Sequence, residues 1–599
     1  MCPVFNDTLL RSVRAEIQEH LHFTEKETDI YKIFQSGDLA NLDGLDDASL
    51  SRLPSVLKLR DAMYSARFRE YLAAVTGSGK LSGRKTDMAI NVYNEGCHLL
   101  CHDDVIGSRR LSYILYLTDP DTPWQAEWGG ALRLYPTSSE KDVHGEEVKI
   151  PSPDYSLSIP PSFNQLSFFT VQPGESFHDV EEVYHPEDKT APKRVRMAIS
   201  GWFHIPQEGE DGFEPGLEQK LAERSSLAQL QGRGDIYDLP QAQPVVYDQP
   251  DAEMEAEKDD KKGKEKVVEE EKPKGAEFTE SDLSFLVQYI APSYLTPDIA
   301  EEMSESFGNE STLSLERFLC EKFATRVRAY IEEQEKKGLP SSAEDIHKQT
   351  GWTVARPPHK HRYVFLQPSA AAGESTTDKT PIDELLNDLF PSEAFRKWLA
   401  HVTGSDRLTS HNLLARRFRR GQDYTLASDY DGDEPRLEFT LGLTPTTGWE
   451  KDENENENNN SNNNNGKSAG DTNADEDLAV GGYELYMAGD GDDDGDKTEG
   501  QNGDDPAIYR SAGADEDDGI LLTTAAGWNR LSIVYRDRGT LRFVKYVSAA
   551  ARGDRWDITG EMGAEYDDDD DDDDDDEEGQ DEGEEEVEEE DEADEEDEQ

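Results

Sequence analysis

The chain has 599 residues, so two or more domains are expected rather than one. Hydrophobic residues make up 34%, charged residues 32%, and the formal net charge is −70, a balance that mixes cored segments with stretches too polar to bury a core. Such acidity excludes direct binding of bare nucleic acid, which needs clustered Lys and Arg against the phosphates, and favours basic partners such as ribosomal or chromosomal proteins.

The four cysteines, Cys2, Cys97, Cys101 and Cys320, form no spaced disulfide framework. No signal peptide is visible, and no apolar run approaches the ~18 residues that cross a bilayer. A protein of the nucleus and cytoplasm is expected.

The N-terminal region to about Ala74 reads as mostly helical. Leu9, Leu10, Val13, Ile17 and Leu21 repeat at helical spacing, followed by Leu53, Val56, Leu57, Met63, Phe68 and Leu72. The chain opens almost directly in that pattern, which leaves room for a few residues upstream. From Met88 to Phe203 the texture changes to short strand-like runs between turn residues: Ala89–Tyr93, Leu111–Leu117, Ala131–Tyr135, Gln165–Val171 and Val195–Phe203. That pattern predicts a jelly roll, so the first domain is set at 1–205.

Residues 206–277, rich in Pro, Gln, Glu and Lys, read as a disordered charged linker. Within it Lys261-Lys262-Gly263-Lys264-Glu265-Lys266 resembles a nuclear localisation signal, although mixed charge suits a solvated linker equally. Helical periodicity returns at Asp282–Tyr294 and Leu313–Glu333, and β-like texture follows Trp352. The second domain is set at 278–562, with disordered insertions at 450–475 (Asn- and acid-rich) and 490–518 (Gly- and Asp-rich). The remainder, 563–599, reads as an acidic disordered tail; from Asp567 to Gln599 it holds 27 acidic and no basic residues.

An internal repeat links the two domains. Phe68-Arg69-x-x-Leu72-Ala73-x-Val75-Thr76-Gly77-Ser78 matches Phe395-Arg396-x-x-Leu399-Ala400-x-Val402-Thr403-Gly404-Ser405. Arg110-Leu111-x-x-x-Leu115-x-Leu117-Thr118 matches Arg436-Leu437-x-x-x-Leu441-x-Leu443-Thr444. Gly129-Gly130 with Leu134-Tyr135 compares, after a gap, with Gly481-Gly482 and Leu485-Tyr486, and Asn164-x-Leu166-Ser167 with Asn529-x-Leu531-Ser532. Ordered matches of this kind predict two copies of one fold.

Chemistry concentrates in the first copy. His102-x-Asp104 with a distant histidine is the ligand pattern of a non-haem iron facial triad. On a strand, residues i and i+2 share a face, so His102 and Asp104 can reach one metal while Asp103 turns away. His178, after the strand Leu166–Val171 and the turn Pro173-Gly174, is the best third ligand. His144 and His185 sit among charges and prolines and suit solvent, and His204 suits a structural role. His98 precedes His102 by four residues, a helical zinc spacing in a β context. Cys97-x-x-x-Cys101-His102 is half a zinc site at most, because a closed site needs a second pair and Cys2 and Cys320 stand alone. Arg196 lies inside an apolar strand, where arginine needs either a protein carboxylate or a small dicarboxylate to clamp. Of Tyr113 and Tyr116 only one can face the site, and Tyr93 precedes the metal strand. In the second copy the matching positions are Ser428 and Tyr430 for His102 and Asp104, Phe543 for His178, Gly442 for Tyr116, Phe418 for Tyr93 and Arg555 for Arg196. An active first copy and a degenerate second copy are expected.

With those residues in hand the chain resembles the fungal and animal prolyl 3-hydroxylase (and prolyl 3,4-dihydroxylase) family that acts on a small-subunit ribosomal protein. The resemblance rests on Cys101-His102-Asp103-Asp104-Val105-Ile106-Gly107, Arg109-Arg110-Leu111-Ser112-Tyr113-Ile114-Leu115-Tyr116-Leu117, Trp128-Gly129-Gly130-Ala131-Leu132, Phe177-His178-Asp179-Val180-Glu181-Glu182-Val183 and Ile199-Ser200-Gly201-Trp202-Phe203-His204. It implies a mainly β fold with flanking helices, built as two tandem double-stranded β-helix (jelly-roll) domains. It also implies iron(II), 2-oxoglutarate, O2 and ascorbate as cofactors. By the same resemblance His102, Asp104 and His178 bind iron, and Arg196, helped by Tyr93 and Tyr116, binds the distal carboxylate of 2-oxoglutarate. Arg194 is the nearby competitor, because a loop around His185–Pro192 lengthens the family's usual spacing. The implied reaction hydroxylates C3 of a proline at the ribosomal decoding centre, with a second hydroxyl in fungal members, and so bears on translation termination. Translation-termination proteins or an oxygen-responsive transcription regulator are implied as partners of the second domain and tail. The contrasting reading is a non-catalytic acidic scaffold for basic ribosomal, termination or transcription-regulatory proteins.

Overall fold

A computed structural model describes residues 4–39, 47–141, 145, 147–188, 190–222, 236–247, 278–368, 379–430, 432, 435–449, 480–488 and 519–566. The chain opens with the helix Asp7–His20, whose buried residues Leu10, Val13 and Ile17 carry the helical spacing and whose N-terminus is capped by the Asn6 side chain. Two further helices, Pro54–Met63 and Ala66–Thr76, complete the apolar layer. Between them the helical reading fails. Thr24–Glu27 and Tyr31–Gln35 form an antiparallel hairpin, turned through Thr28, whose hydroxyl accepts from the Ile30 and Tyr31 N–H groups. Tyr31, Ile33 and Phe34 are β-formers in an alternating run, which outweighs the weak helical pattern around them.

The first lobe is a ten-stranded sheet folded as a double-stranded β-helix, with a separate hairpin of Thr137–Lys141 and Glu147–Pro151. Its order runs Leu166–Thr170, Arg109–Tyr116, Arg196–His204, Thr86–Tyr93, Tyr31–Gln35, His98–His102, His178–Val180, Leu132–Leu134, Leu157–Ile159, with Thr24–Glu27 on the hairpin partner. Strand alternation sorts the side chains. Met88, Ile90, Leu111, Tyr113, Leu115, Met197 and Ile199 pack under the helices. Ile114, Tyr116, Leu132 and Ala198 meet on the opposite face, inside the roll.

The second lobe repeats the plan in two sheets of eight and five strands. Helices Glu280–Leu286, Pro297–Glu310, Glu321–Lys337 and Glu393–Thr403 cover the larger sheet through a core that includes Phe307, Val327, Phe395, Trp398 and Phe439. Residues Thr312–Glu316, expected to begin a helix, instead form a strand paired with Trp528–Arg536. The repeat is visible in detail. Helices Ala66–Thr76 and Glu393–Thr403 have serine N-caps (Ser65, Ser392) and end on left-handed glycines, Gly77 and Gly404. Asn164 and Asn529 both adopt positive φ, 60° and 58°. Each asparagine brackets an N-terminal segment by accepting from a backbone N–H and donating to the same residue's carbonyl, Phe5 in one lobe and Leu319 in the other.

Part of 206–277 is not a free linker. Val245–Val246 pairs with the strand Arg407–Phe418, Leu239 bridges Arg356, and the buried Lys360 ammonium meets Asp238 at 2.8 Å. The apolar residues Tyr237 and Leu239 anchor this stretch against the second lobe. Residues 223–235 and 248–277 with the Lys261–Lys266 run, the insertions 450–475 and 490–518, and the tail from Asp567 lie outside the described residues. The second lobe reaches slightly beyond 562, because the strand Arg555–Glu565 continues and Tyr566 packs on Tyr535. Among the described residues no helix is long and apolar enough to cross a membrane.

Asn529 supplies both hydrogen bonds that bracket Leu319 and tolerates a left-handed backbone. Asn529→Ala is expected to lower the unfolding free energy by about 3 kcal/mol in urea titration, from two lost hydrogen bonds plus the left-handed strain. Asn529→Gly, which relieves the strain, should cost less.

Candidate metal centre

His98–His102 and His178–Val180 are antiparallel neighbours, and their register sets His102 directly opposite His178. The strand ends at His102. Asp104 does not continue the alternation, because its backbone turns into the left-handed region at φ 62°. That turn, rather than a shared strand face, brings the carboxylate back beneath the imidazoles. Asp103 holds the turn, its side chain accepting from the Val105 N–H and its carbonyl from the Ser176 hydroxyl.

The three side chains converge. His102 Nε2 lies 3.1 Å from Asp104 Oδ1, and His178 Nε2 lies 3.5 Å from Asp104 Oδ2. One potential ligand atom from each lies within 4.8 Å of the others, and all three residues are buried. Each imidazole pairs its Nδ1 with a backbone carbonyl, Leu100 for His102 and Ser176 for His178, at 2.8 Å. Those bonds assign the proton to Nδ1 and leave each Nε2 lone pair for a metal. Burial alone would raise the Asp104 pKa, but His178 and His102 overcome it and hold the carboxyl well below the usual range. Burial, reinforced by His102, lowers His178 to about 4, so it is neutral near pH 7. Two neutral-capable imidazoles and one carboxylate on a single side are the donor set of an octahedral centre with open positions.

Arg196 is opposite Tyr93 across its strand pair, and its guanidinium lies 4.5 Å from the Tyr93 ring and 5.1 Å from the Tyr116 ring. It is 1% exposed. Its Nε donates to the Gly130 carbonyl at 2.7 Å, while Nη2 has no hydrogen-bond partner among the described residues. The Tyr116 hydroxyl feels Arg196 and Ser167 but reaches good hydrogen-bond geometry with neither. Burial pushes Tyr93 up to about 12, against the pull of Arg196, so its hydroxyl stays protonated as a donor. A buried guanidinium with a spare donor and two nearby phenols is a receptor for a carboxylate. These residues therefore fit an iron and 2-oxoglutarate pair: the metal donors are clustered, and the cofactor's anion has unpaired polar atoms waiting for it.

The other sequence candidates go elsewhere. Arg194 donates to the Tyr184 carbonyl and stacks over Trp128, away from Tyr93 and Tyr116. Tyr113 faces the helices and meets the Tyr64 hydroxyl. His98 stacks on Tyr546 with ring centres 4.3 Å apart. Cys97 and Cys101 are buried free thiols, and among the described residues His102, Asp104 and His178 form the one cluster suited to a metal. His204, buried with Ser108, bridges the Ser108 hydroxyl and the half-buried Asp87 and ties two strands together. His144 lies outside the described residues. The sequence reading missed Gly130, whose carbonyl orients Arg196 and where a Cβ would stand 3.0 Å from Arg196 Cδ. The Gly129-Gly130 pair was its visible signal.

Comparison with known proteins supplies the family. Residues 88–204 match the 2OG-Fe(II) oxygenase superfamily, and residues 281–570 match a family described as oxoglutarate and iron-dependent oxygenase degradation C-term. The chain is 30% identical over 561 residues to prolyl 3,4-dihydroxylase OGFOD1 of Ostreococcus tauri, covering 93% of this chain and 92% of that one. Prolyl 3-hydroxylase OGFOD1 of Mus musculus is 27% identical over 573 residues, covering 88% of this chain and 80% of its own. A solved Pseudomonas putida prolyl-4-hydroxylase is 21% identical, covers 34% of this chain and 90% of its own, and gives a TM-score of 0.22.

The same place in the second lobe is filled. Gly481 bridges Val547 as Gly129 bridges Val183, and Arg555 donates to the Gly482 carbonyl as Arg196 does to Gly130. In this register Arg542, not Phe543, stands at the position of His178; it pairs with Ser428 and Tyr486 just as His178 pairs with His102 and Leu134. Arg542 ties together Glu438 and Glu484, both at 2.8 Å, with Thr440 and Thr559. Arg555 finds Asp557 at 2.9 Å and Glu484 at 3.6 Å. In the first lobe the residues in register with Asp557 and Glu484 are Ala198 and Leu132. The second lobe thus neutralises its arginine with its own carboxylates, and the first does not. Burial would raise Glu438, but Arg542, Arg536 and Arg436 lower it to about 2. Its contribution to stability should be complete above about pH 4.5, the unfolded value, and should fade as pH falls toward 2. Arg542→Met, which leaves Glu438 to Arg536 and Arg436 and Glu484 to Arg416 and Arg555, should cost about 3 kcal/mol in urea unfolding at neutral pH, the low end for breaking a buried pair.

Proposed function

From the premise that this chain belongs to the OGFOD1 family of 2-oxoglutarate- and iron(II)-dependent prolyl hydroxylases and dihydroxylases, we propose that His102, Asp104 and His178 hold the iron and that Arg196 anchors the 2-oxoglutarate. The observation that carries this assignment is the uncompensated Arg196 guanidinium, whose second-lobe counterpart has two carboxylates where the first lobe has Ala198 and Leu132. The distal carboxylate of the cofactor completes the missing pair, with Tyr93 and Tyr116 as further donors.

When bound, iron and 2-oxoglutarate together supply the activation of O2 that couples decarboxylation to hydroxylation. The protein's own work is positional. The carbonyls of Leu100 and Ser176 fix the tautomers of His102 and His178, and the Asp103 turn aims Asp104. Phe169 closes one side of His178, ring centres 4.7 Å apart, and limits water at the ligand. Ascorbate serves to keep the iron reduced.

The substrate in this reading is a peptidyl proline, hydroxylated at C3 and then a second time as in the dihydroxylase relative. A small-subunit ribosomal protein at the decoding centre is the proposed bearer, supported by the family resemblance and by a net charge of −70 that suits a basic partner. Termination factors or a transcription regulator remain the proposed partners of the second lobe and tail, in the nucleus and cytoplasm. A purely non-catalytic scaffold gives way, for the chain as a whole, to membership of an enzyme family.

The test is purified protein with iron(II), labelled 2-oxoglutarate and a mixture of basic ribosomal proteins. Succinate release and one or two added oxygen atoms on a proline, read by mass spectrometry, are expected from the wild type and not from His102→Ala. Arg196→Met should raise the KM for 2-oxoglutarate roughly 100-fold, the loss expected for truncating one side of a buried charge pair. If Arg194→Met has that effect instead, the assignment of the anchor is wrong.

A further inference from the structure

The strands bearing the metal ligands lean on the second lobe. The Cys101 N–H, next to His102, donates to the Tyr424 hydroxyl at 3.4 Å. Phe177, next to His178, stacks on His359 with ring centres 4.7 Å apart and planes 22° from parallel. On the hairpin side the Ala427 N–H donates to Asp29, and Lys545 meets Glu27 at 2.8 Å.

The densest contact involves Glu182, which no step of the hydroxylation uses. It is 1% exposed, and all three donors to its carboxylate come from the second lobe: the Ser548 hydroxyl at 2.5 Å, the Ala549 N–H at 2.8 Å and the Tyr546 hydroxyl at 3.2 Å. Burial raises its pKa, while these three donors pull the other way. The backbone of the same residue points into the first lobe. Its carbonyl accepts from the Gly130 N–H at 3.1 Å, and the Gly130 carbonyl in turn accepts from Arg196 Nε at 2.7 Å. There is no slack in this chain of contacts. A Cβ at residue 129 would come within 2.0 Å of the Glu182 carbonyl oxygen, and both glycines have positive φ, 74° and 70°.

We propose that Glu182 is a positioning residue for 2-oxoglutarate: residues 546–549 of the second lobe hold its carboxylate, its carbonyl fixes Gly130, and Gly130 aims Arg196. The second lobe, although it lacks the ligands, is thereby part of the cofactor site of the first. This inference rests on Arg196 as the cofactor anchor, the reading given above. Glu182 touches neither metal nor cofactor, so its effect falls on affinity for the anion rather than on the metal.

The experiment uses the full chain loaded with Mn(II), without turnover, and measures Mn(II) and 2-oxoglutarate binding by calorimetry beside thermal midpoints. Glu182→Ala and Ser548→Ala should each weaken 2-oxoglutarate binding by about tenfold, at the low end for a supporting contact, with Mn(II) affinity unchanged. Glu182→Gln should restore most of the binding, because its amide oxygen can accept from Ala549 and Tyr546 while its NH2 donates to Ser548. A merely structural Glu182 would lower the midpoint and weaken Mn(II) and 2-oxoglutarate together, and that result overturns the proposal. Wild-type affinity for 2-oxoglutarate in Ser548→Ala, the milder change if Glu182→Ala fails to fold, overturns it as well. Arg196→Met, measured in parallel, separates the two readings. If it leaves 2-oxoglutarate binding intact, the anchor assignment falls and the relay with it; if it weakens binding while the Glu182 and Ser548 variants do not, the relay alone falls.

Discussion

One buried positive charge organises the first lobe. A guanidinium taken out of water costs several kcal/mol unless an anion and hydrogen bonds replace the lost solvation. Arg196 has a single backbone acceptor, two aromatic faces and a spare Nη2. The lobe must therefore spend stability elsewhere to hold it, and the thick apolar layer of Leu10, Val13, Ile17, Val56, Leu59 and Met63 beneath the sheet is where that stability lies. The second lobe meets the same constraint by the opposite route. Its arginine is answered from inside by Asp557 and Glu484, and Arg542 stands where the first lobe has His178. One framework thus has two electrostatic solutions, of which one leaves an opening for a ligand.

The two lobes also meet through equivalent parts. Gly129 crowds the Glu182 carbonyl and Gly481 crowds the Tyr546 carbonyl, so Glu182 and Tyr546 are counterparts, and the Tyr546 hydroxyl donates to Glu182. His98 and Tyr424 open corresponding strands, and both lie against Tyr546. Contact between like segments is the signature of a two-fold, isologous arrangement. Within a single chain the two faces are free to diverge, and here one has become an acid and the other its donors.

Much of this was legible in the sequence because strands and caps leave strong local marks. The Phe-Arg-x-x-Leu-Ala helix running into Gly77 and Gly404, the Asn-x-Leu-Ser pair and the glycine doublets needed only the spacing of a few residues. His102, His178 and Arg196 were readable because histidine and arginine are conspicuous in apolar strands. What was not legible depended on backbone conformation or register. Asp104 reaches the site through a left-handed turn that follows the strand, and nothing in H-x-D announces positive φ in an aspartate. The counterpart of His178 is Arg542 rather than Phe543, and in a β-strand one residue exchanges the two faces. The hairpin at Thr24–Glu27 and Tyr31–Gln35 was hidden because its pairing partners, His98–His102 and Thr86–Tyr93, lie more than fifty residues downstream.

The persistence of the second lobe follows from the same physics. A lobe that had lost its ligands and owed the first nothing could have drifted to any surface chemistry at the contact. Instead its contact residues, Tyr424, Tyr546, Ser548 and the Ala549 N–H, each satisfy a buried polar group that lies within a few residues of His102, His178 or Gly130. Removing that lobe would expose Glu182 and the Cys101 amide to solvent and free the carbonyl that sets Gly130. The site would keep His102, Asp104 and His178 together and lose the contact that sets the direction of Arg196. On the proposal that Glu182 positions Gly130, the geometry around Arg196 depends on the second lobe.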